Sequence, residues 1–301
     1  MNSLRLFIKL SRPLPILGVF LTFGLGTGIA RYLGASIDWP VYLLSQAWVT
    51  LLQLSMHYLG DYFAHPADVA NTPRTPFSER SDALGPGKLS RNLALWAGVS
   101  CLSVAASLTV LLLQMIGDSP AVLLMMGMIF LGVLSYSVPP LRLASSGYGE
   151  LLMSILVANL VPALAYLLQA DEWSRLLPMS TFPLLLLHLA MMIAFEFPDY
   201  AADAKFEKST ILVRMGWQRG MQLHNLLLLG GLGLIGVAWA LGLPYQIALP
   251  ALFVLPIAAF QIWMMNRIEA GGRPNWLLLT VVAAAIFGLA AYLLAYGFWT
   301  R

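Results

Sequence analysis

Charge and cysteine are what this sequence has least of. Of 301 residues only 10 % are charged, against 59 % hydrophobic, and the mean hydropathy is +0.77. So little polar surface cannot cover a soluble domain of this length, which excludes a water-soluble enzyme. The net charge is only +3, and its placement, described next, reads as membrane orientation and not as a nucleic-acid footprint. The one cysteine, Cys101, can form no internal disulfide and carries no redox information. It reads as a small core hydrophobe. Proline-rich or Gly/Ser-rich linkers and low-complexity tracts are also missing, so residues 1–301 read as a single domain.

What the sequence has is long apolar runs. Those long enough to cross a bilayer, about 17–25 residues, fall near 14–34, 40–60, 92–116, 120–138, 149–169, 178–196, 219–241, 245–265 and 275–298. Lipid cannot satisfy exposed backbone groups, and the runs are continuous where barrel strands would alternate, so they predict helices. The expectation is an all-α polytopic membrane protein with nine transmembrane helices. Nine spans with an inner N-terminus place 14 of the 17 Lys and Arg on the inner side, leaving only Arg31, Arg175 and Arg301 outside. The basic start and the apolar stretch ending in "GTGIA" have the outline of a signal peptide, but the charge asymmetry needs that stretch as the first span. The expected location is the cell (inner) membrane, multi-pass, with a cytoplasmic N-terminus. Gly24 and Gly28 give a small-xxx-small spacing suited to close helix packing.

Two inner connections are long, residues 61–91 and 197–218, and they hold most of the acidic residues. In "EFPDYAADAKFEKSTILVRMG", Asp199 and Asp203 stand four apart, which on a helix stacks them roughly 5–6 Å apart with Glu196 on the same side. Like charges so placed repel unless a cation or a proton relieves them. Oxygen ligands beside Lys205, Lys208 and Arg214 point to Mg2+ with a polyphosphate, because Mg2+ favours a few carboxylates, water and substrate phosphates. In "HYLGDYFAHPADV", Asp61 and Asp68 are seven apart with His57 a turn before, although Pro66 bends or ends the helix there. Downstream, Arg74, Arg80 and Lys88 can meet phosphate charge. An anionic head on a greasy tail would suit both loops and the bundle between them. An intramembrane ion path would instead need ionisable residues deep in the spans. His188 is the only strongly polar side chain so placed and reads as a hydrogen-bonded core residue, and His224 reads as structural.

These stretches resemble the UbiA superfamily of intramembrane prenyltransferases, and within it the branch that makes prenylated quinones such as menaquinone. The resembling segments are "SRPLPILGVFLTFGLGTGIA", "DVANTPRTPFS", "YSVPPLRLASSGYGELLMSILVANLVPAL" and, most specifically, "EFPDYAADAKFEKSTILVRMG". The resemblance implies nine helices around a central cavity. It implies an enzyme that holds a polyprenyl diphosphate through Mg2+ on two aspartate motifs and transfers the prenyl group to a small aromatic acceptor such as 1,4-dihydroxy-2-naphthoate. It assigns Asp61, Asp68, Asp199 and Asp203 to metal and catalysis, and Arg74, Lys88, Lys205 and Lys208 to phosphate. Tyr136 and Arg142 fall in a segment that lines the family's cavity. The first motif departs from the pattern: Gly60 and Ala64 stand where Asn and Asp are expected. Two alternatives follow, a divergent member that binds an isoprenoid lipid without transferring it, and a membrane transporter.

Overall fold

The computed structural model describes residues 3–70, 75–78, 80–117, 119–170 and 172–301. Among them the chain is helical, with one isolated bridge between Leu84 and Leu89 and no longer strand pairing. A short basic helix, α1 (Ser3–Ser11), leads into α2 (Pro13–Tyr32). Next come α3 (Trp39–Tyr62), α4 (Arg91–Ile116) and α5 (Pro120–Ser137). The remainder is α6 (Gly149–Leu167), α7 (Leu176–Glu196), α8 (Trp217–Ala240), α9 (Tyr245–Glu269) and α10 (Trp276–Trp299).

Local sequence sets these limits. Asp38 caps α3 by accepting from the Val41 N–H at 3.0 Å, with Pro40 in the first turn where its missing donor costs nothing. Ser90 and Asn275 cap α4 and α10 in the same way. Within α6, Pro162 cannot donate to the preceding turn, and residues Leu156–Leu160 widen into a π-helical turn just before it.

Among the described residues eight helices are long and apolar enough to cross a membrane: α2 and α4 to α10. This, with the apolar side chains they leave exposed, makes the chain an integral membrane protein. The ninth expected span corresponds to α3, which is 24 residues long but carries Gln46, Gln53, His57 and Asp61, all buried. Those groups lower its hydropathy below that of the other eight.

The helices close on one another. α3 packs along α4, α7 along α8, and α2 along both α10 and the second half of α6, while α10 also touches α7 and α9. Most of α6 and α7 is buried, whereas few residues of α4 are. Of the two glycines singled out by spacing, Gly28 is a tight point, where a Cβ would sit 2.8 Å from the Trp299 ring, but the closest approach on α2 is at Gly26. A Cβ at Gly26 would sit 2.0 Å from the Pro162 carbonyl oxygen, so any side chain there would force α2 and α6 apart. Gly28 lies against the Trp299 ring, and nothing stands within 4 Å of a Cβ at Gly24. The Gly24 carbonyl instead accepts from the Trp299 indole at 2.7 Å.

Candidate active site

Five of these helices and α3 enclose a cavity of about 460 Å3, within the range of about 300–1,000 Å3 typical of small-molecule sites. Its lower wall is apolar: Leu17 and Leu21 from α2, Met56 from α3, Met153 and Val157 from α6, Met191 and Met192 from α7, and Phe287 from α10. The mouth is charged, lined by Arg12, Asp61, Asp68, Arg80, Arg142 and Lys208. Phe77, from the first inner loop, stacks on Phe195 of α7 with ring centres 4.6 Å apart and roofs part of the chamber. One space therefore joins a polar, basic end to a greasy one.

The two inner loops meet at Lys208. This lysine is 2 % exposed, and its ammonium donates to Asp68 Oδ1 at 2.9 Å and lies 3.8 Å from Asp203 Oδ1. It thus links residues 140 apart in sequence. Asp68 also accepts from the His65 N–H at 3.2 Å. Asp199 ends α7's exit turn and starts the short helix Tyr200–Lys205, where Asp203 N donates to the Asp199 carbonyl at 3.0 Å, so the two aspartates sit one turn apart. Burial pushes the Asp203 carboxyl up to about 7; Lys208 opposes the shift, while Asp68, Asp199 and Glu150 add to it. Beside this group, Glu150 at the first turn of α6 is buried, and its Oε1 accepts from the Ile211 N–H at 2.8 Å. Two buried carboxylate oxygens, Asp203 Oδ2 and Glu150 Oε2, have no hydrogen-bond partner among the described residues.

Asp61 sits differently. It is buried, its Oδ1 accepts from the Arg12 guanidinium, and its Oδ2 accepts from the Ser81 hydroxyl and backbone N–H. Arg12 occupies the break between α1 and α2 with φ 48°, and Arg142 follows α5 with φ 37°. Left-handed backbone costs a residue with a side chain about 1–2 kcal/mol, and both of these arginines line the cavity. Arg142 is fixed by donating to the Phe63 carbonyl at 2.9 Å and to Ser145 Oγ at 3.3 Å. Gly60 and Ala64 also line the cavity, so the wall is open where the expected Asn and Asp would project.

The expected residues therefore divide. The structure gathers Asp68, Asp203 and Lys208, with Asp199 adjoining, and puts Asp61, Tyr136 and Arg142 on the cavity wall. Lys88 is not brought in; it is exposed and pairs with Asp82 at 2.6 Å, which holds the Asp82 carboxyl below its usual range. Lys205 is exposed too, its ammonium 5.6 Å from the Phe206 ring centre. Arg74 lies outside the described residues. Sequence reasoning missed Glu150, Arg12 and Ser81 as parts of the site. A lone carboxylate opening an apolar run, as in "GYGELLMS", was the available signal for Glu150.

Among the described residues no three His, Cys, Asp or Glu side chains are grouped to hold a metal ion. The donor set nonetheless suits a hard cation on one side: Asp203 offers an unpartnered oxygen, and oxygen-only ligands favour Mg2+. The first loop offers no equivalent, because Asp61 is held by Arg12 and Ser81, and Asp68 by Lys208.

Comparison with known proteins agrees with this architecture. No curated protein sequence matches significantly. The chain resembles a UbiA homolog from Archaeoglobus fulgidus bound to DMAPP and Mg2+, with TM-score 0.69 and 15 % identity over 96 % of this chain and 98 % of that one. It also resembles the GPP- and Mg2+-bound form, with TM-score 0.67 and 15 % identity over 96 % and 99 %. A third likeness, to digeranylgeranylglyceryl phosphate synthase, has TM-score 0.64 and 16 % identity over 100 % of both chains. The profile of the UbiA prenyltransferase family matches residues 19–275.

Proposed function

Because the chain belongs to the UbiA prenyltransferase family, we propose that it transfers a polyprenyl group from its diphosphate to a small aromatic acceptor, a quinone precursor such as 1,4-dihydroxy-2-naphthoate. The observation that carries the reading is the cavity with Lys208 and three arginines at one end and methionine, leucine and phenylalanine at the other. Such a space accepts an anionic head and an isoprenoid tail together. The A. fulgidus homolog was solved with DMAPP or GPP and Mg2+, which makes the same ligand class the natural one here.

In this reading Asp199 and Asp203 would hold Mg2+, with Asp68 at the facing edge, and the bound ion would neutralise the charge that builds on the leaving diphosphate. Lys208, Arg12 and Arg142 act on the same charge from the protein side, preorganised in a site shielded from bulk water. The apolar wall keeps water from quenching the allylic cation. Arg80 reaches the mouth while its guanidinium donates to the Val69 carbonyl at 3.1 Å, so it shapes the loop as well as the charge. Asp61 takes a positioning role, setting the direction of Arg12. The chain 1–301 acts as one domain in the inner membrane with α3 as a ninth span and the N-terminus cytoplasmic, the arrangement that puts Lys208 and the arginines of the mouth on the side where diphosphates are made.

The test is turnover. Purified protein with Mg2+, labelled polyprenyl diphosphates and a panel of phenolic acceptors should give prenylated product, lost in Asp199→Ala. Binding of the diphosphate without product in every pairing would favour an isoprenoid-binding member that has lost transfer. Restoring the expected motif with Gly60→Asn and Ala64→Asp should tighten Mg2+ binding, measured calorimetrically; a Cβ at Gly60 meets only Ser137 Oγ at 3.6 Å, so the wall has room.

A further inference from the structure

Midway along the cavity the apolar wall is interrupted by the imidazole of His188, with Gln53 and His57 of α3 also on the lining. His188 of α7 is buried and lines the chamber, and Phe287 meets it edge to face with ring centres 4.7 Å apart. Its Nδ1 lies 2.9 Å from Ser154 Oγ. Ser154 has one hydroxyl hydrogen, and the Glu150 carbonyl, 2.7 Å away on the preceding turn, accepts it. Ser154 Oγ then accepts from the imidazole, which fixes the tautomer with hydrogen on Nδ1 and leaves Nε2 a bare lone pair. No described residue bonds Nε2, and it is not sealed away from the cavity. An acceptor left without a partner is satisfied by any ligand that brings a donor.

Depth narrows the donor. His188 is eight residues from Glu196 at the end of α7, about 12 Å into the bundle at about 1.5 Å per residue. Ser154 is four residues past Glu150, about 6 Å below the charged layer by the same rise. A diphosphate held at the mouth would place its first prenyl carbons, and any ring they attack, at this level. We propose that His188 Nε2 accepts a hydrogen bond from the ring hydroxyl of the aromatic acceptor, so that the His188–Ser154 pair selects hydroxylated rings. This rests on the prenyl-transfer reading of the same cavity. A nitrogen that can only accept favours an O–H group over an ether or an ionised carboxylate, neither of which has a hydrogen to donate. The pair binds and orients the ring; no covalent step is assigned to it.

The experiment compares 2-naphthol with 2-methoxynaphthalene, probes that differ in the donor, for binding to the purified protein in detergent. Geranyl thiolodiphosphate binding is measured on the same samples. In the unmodified protein 2-naphthol should bind about tenfold tighter, the worth of one hydrogen bond. His188→Leu should erase that preference and leave thiolodiphosphate affinity unchanged. Equal binding of the two probes, or a preference that survives in His188→Leu, overturns the proposal. If His188→Leu does not fold, Ser154→Ala decides: by freeing the tautomer it should weaken the preference, and an unaltered preference overturns the inference. Failure of the thiolodiphosphate to bind the unmodified protein counts against prenyl transfer, while the naphthol comparison still reports on His188.

Discussion

The two inner loops begin with the same kinds of residue and end in opposite electrostatic states. In the first, every described aspartate has a partner. Arg12 and Ser81 hold Asp61, Lys88 and Lys9 flank Asp82, and Lys208 reaches across to Asp68. In the second, Asp203 is buried with one oxygen unpartnered, and burial raises its carboxyl to about 7. The first loop has used its charge to stay in place, while the second keeps charge available for a ligand. Counting carboxylates in a motif is therefore a weaker guide than asking which of their oxygens are already taken.

This contrast can be broken or sharpened, beginning where the effect should be greatest. Asp203→Asn should lower turnover by at least about a hundredfold, beyond the 10–100-fold typical of residues that merely support a metal ligand; a milder loss than that of Asp61→Asn would reverse the assignment of the loops. Arg12→Ala leaves the buried Asp61 carboxylate without its cation, held only by Ser81, and should cost about 3 kcal/mol of stability, the low end for a broken buried pair, read as a fall in Tm. The double change Arg12→Ala with Asp61→Asn should recover part of it. The pH dependence follows from Asp203. Its folded-state pKa is raised from 3.8 to about 7, so its contribution to stability is fully present below about pH 4 and is lost as pH rises through 7. Without Mg2+, Tm should be higher at pH 6 than at pH 8, and Asp203→Asn should flatten that difference. Lys88→Ala should change stability by no more than about 0.5 kcal/mol and leave KM for the diphosphate unaltered, since its ion pair is solvent-exposed.

Much of the fold was legible because a bilayer allows few solutions. Eight of the nine apolar runs became helices whose composition alone suits a membrane. The exception, α3, shows why the remaining one was harder: Gln46, Gln53, His57 and Asp61 are tolerated by burial against neighbouring helices, which hydropathy does not register. In the candidate site, the stacking of Asp199 and Asp203 one turn apart was legible from their spacing. Lys88 and Lys205 were not, because positive charge in a loop says nothing of the direction in which a side chain leaves it. The Arg12–Asp61 bond, spanning 49 residues, depends on a left-handed backbone just before Pro13. No periodicity announces that turn. His188 was noticed as a polar ring deep in a span, but its use depends on the cavity beside it.

The first loop rests on a small hydrophobic pad of its own, where Leu6 and Leu10 of α1 meet Tyr58, Ala83, Leu84 and Ala94. There and through the Arg12–Asp61–Ser81 contacts, the edge at residues 81–84 is anchored to α1 and α3. Joining Lys9 to Asp82, 3.7 Å apart, by a zero-length amide should leave turnover untouched, because nothing at that edge has to swing open.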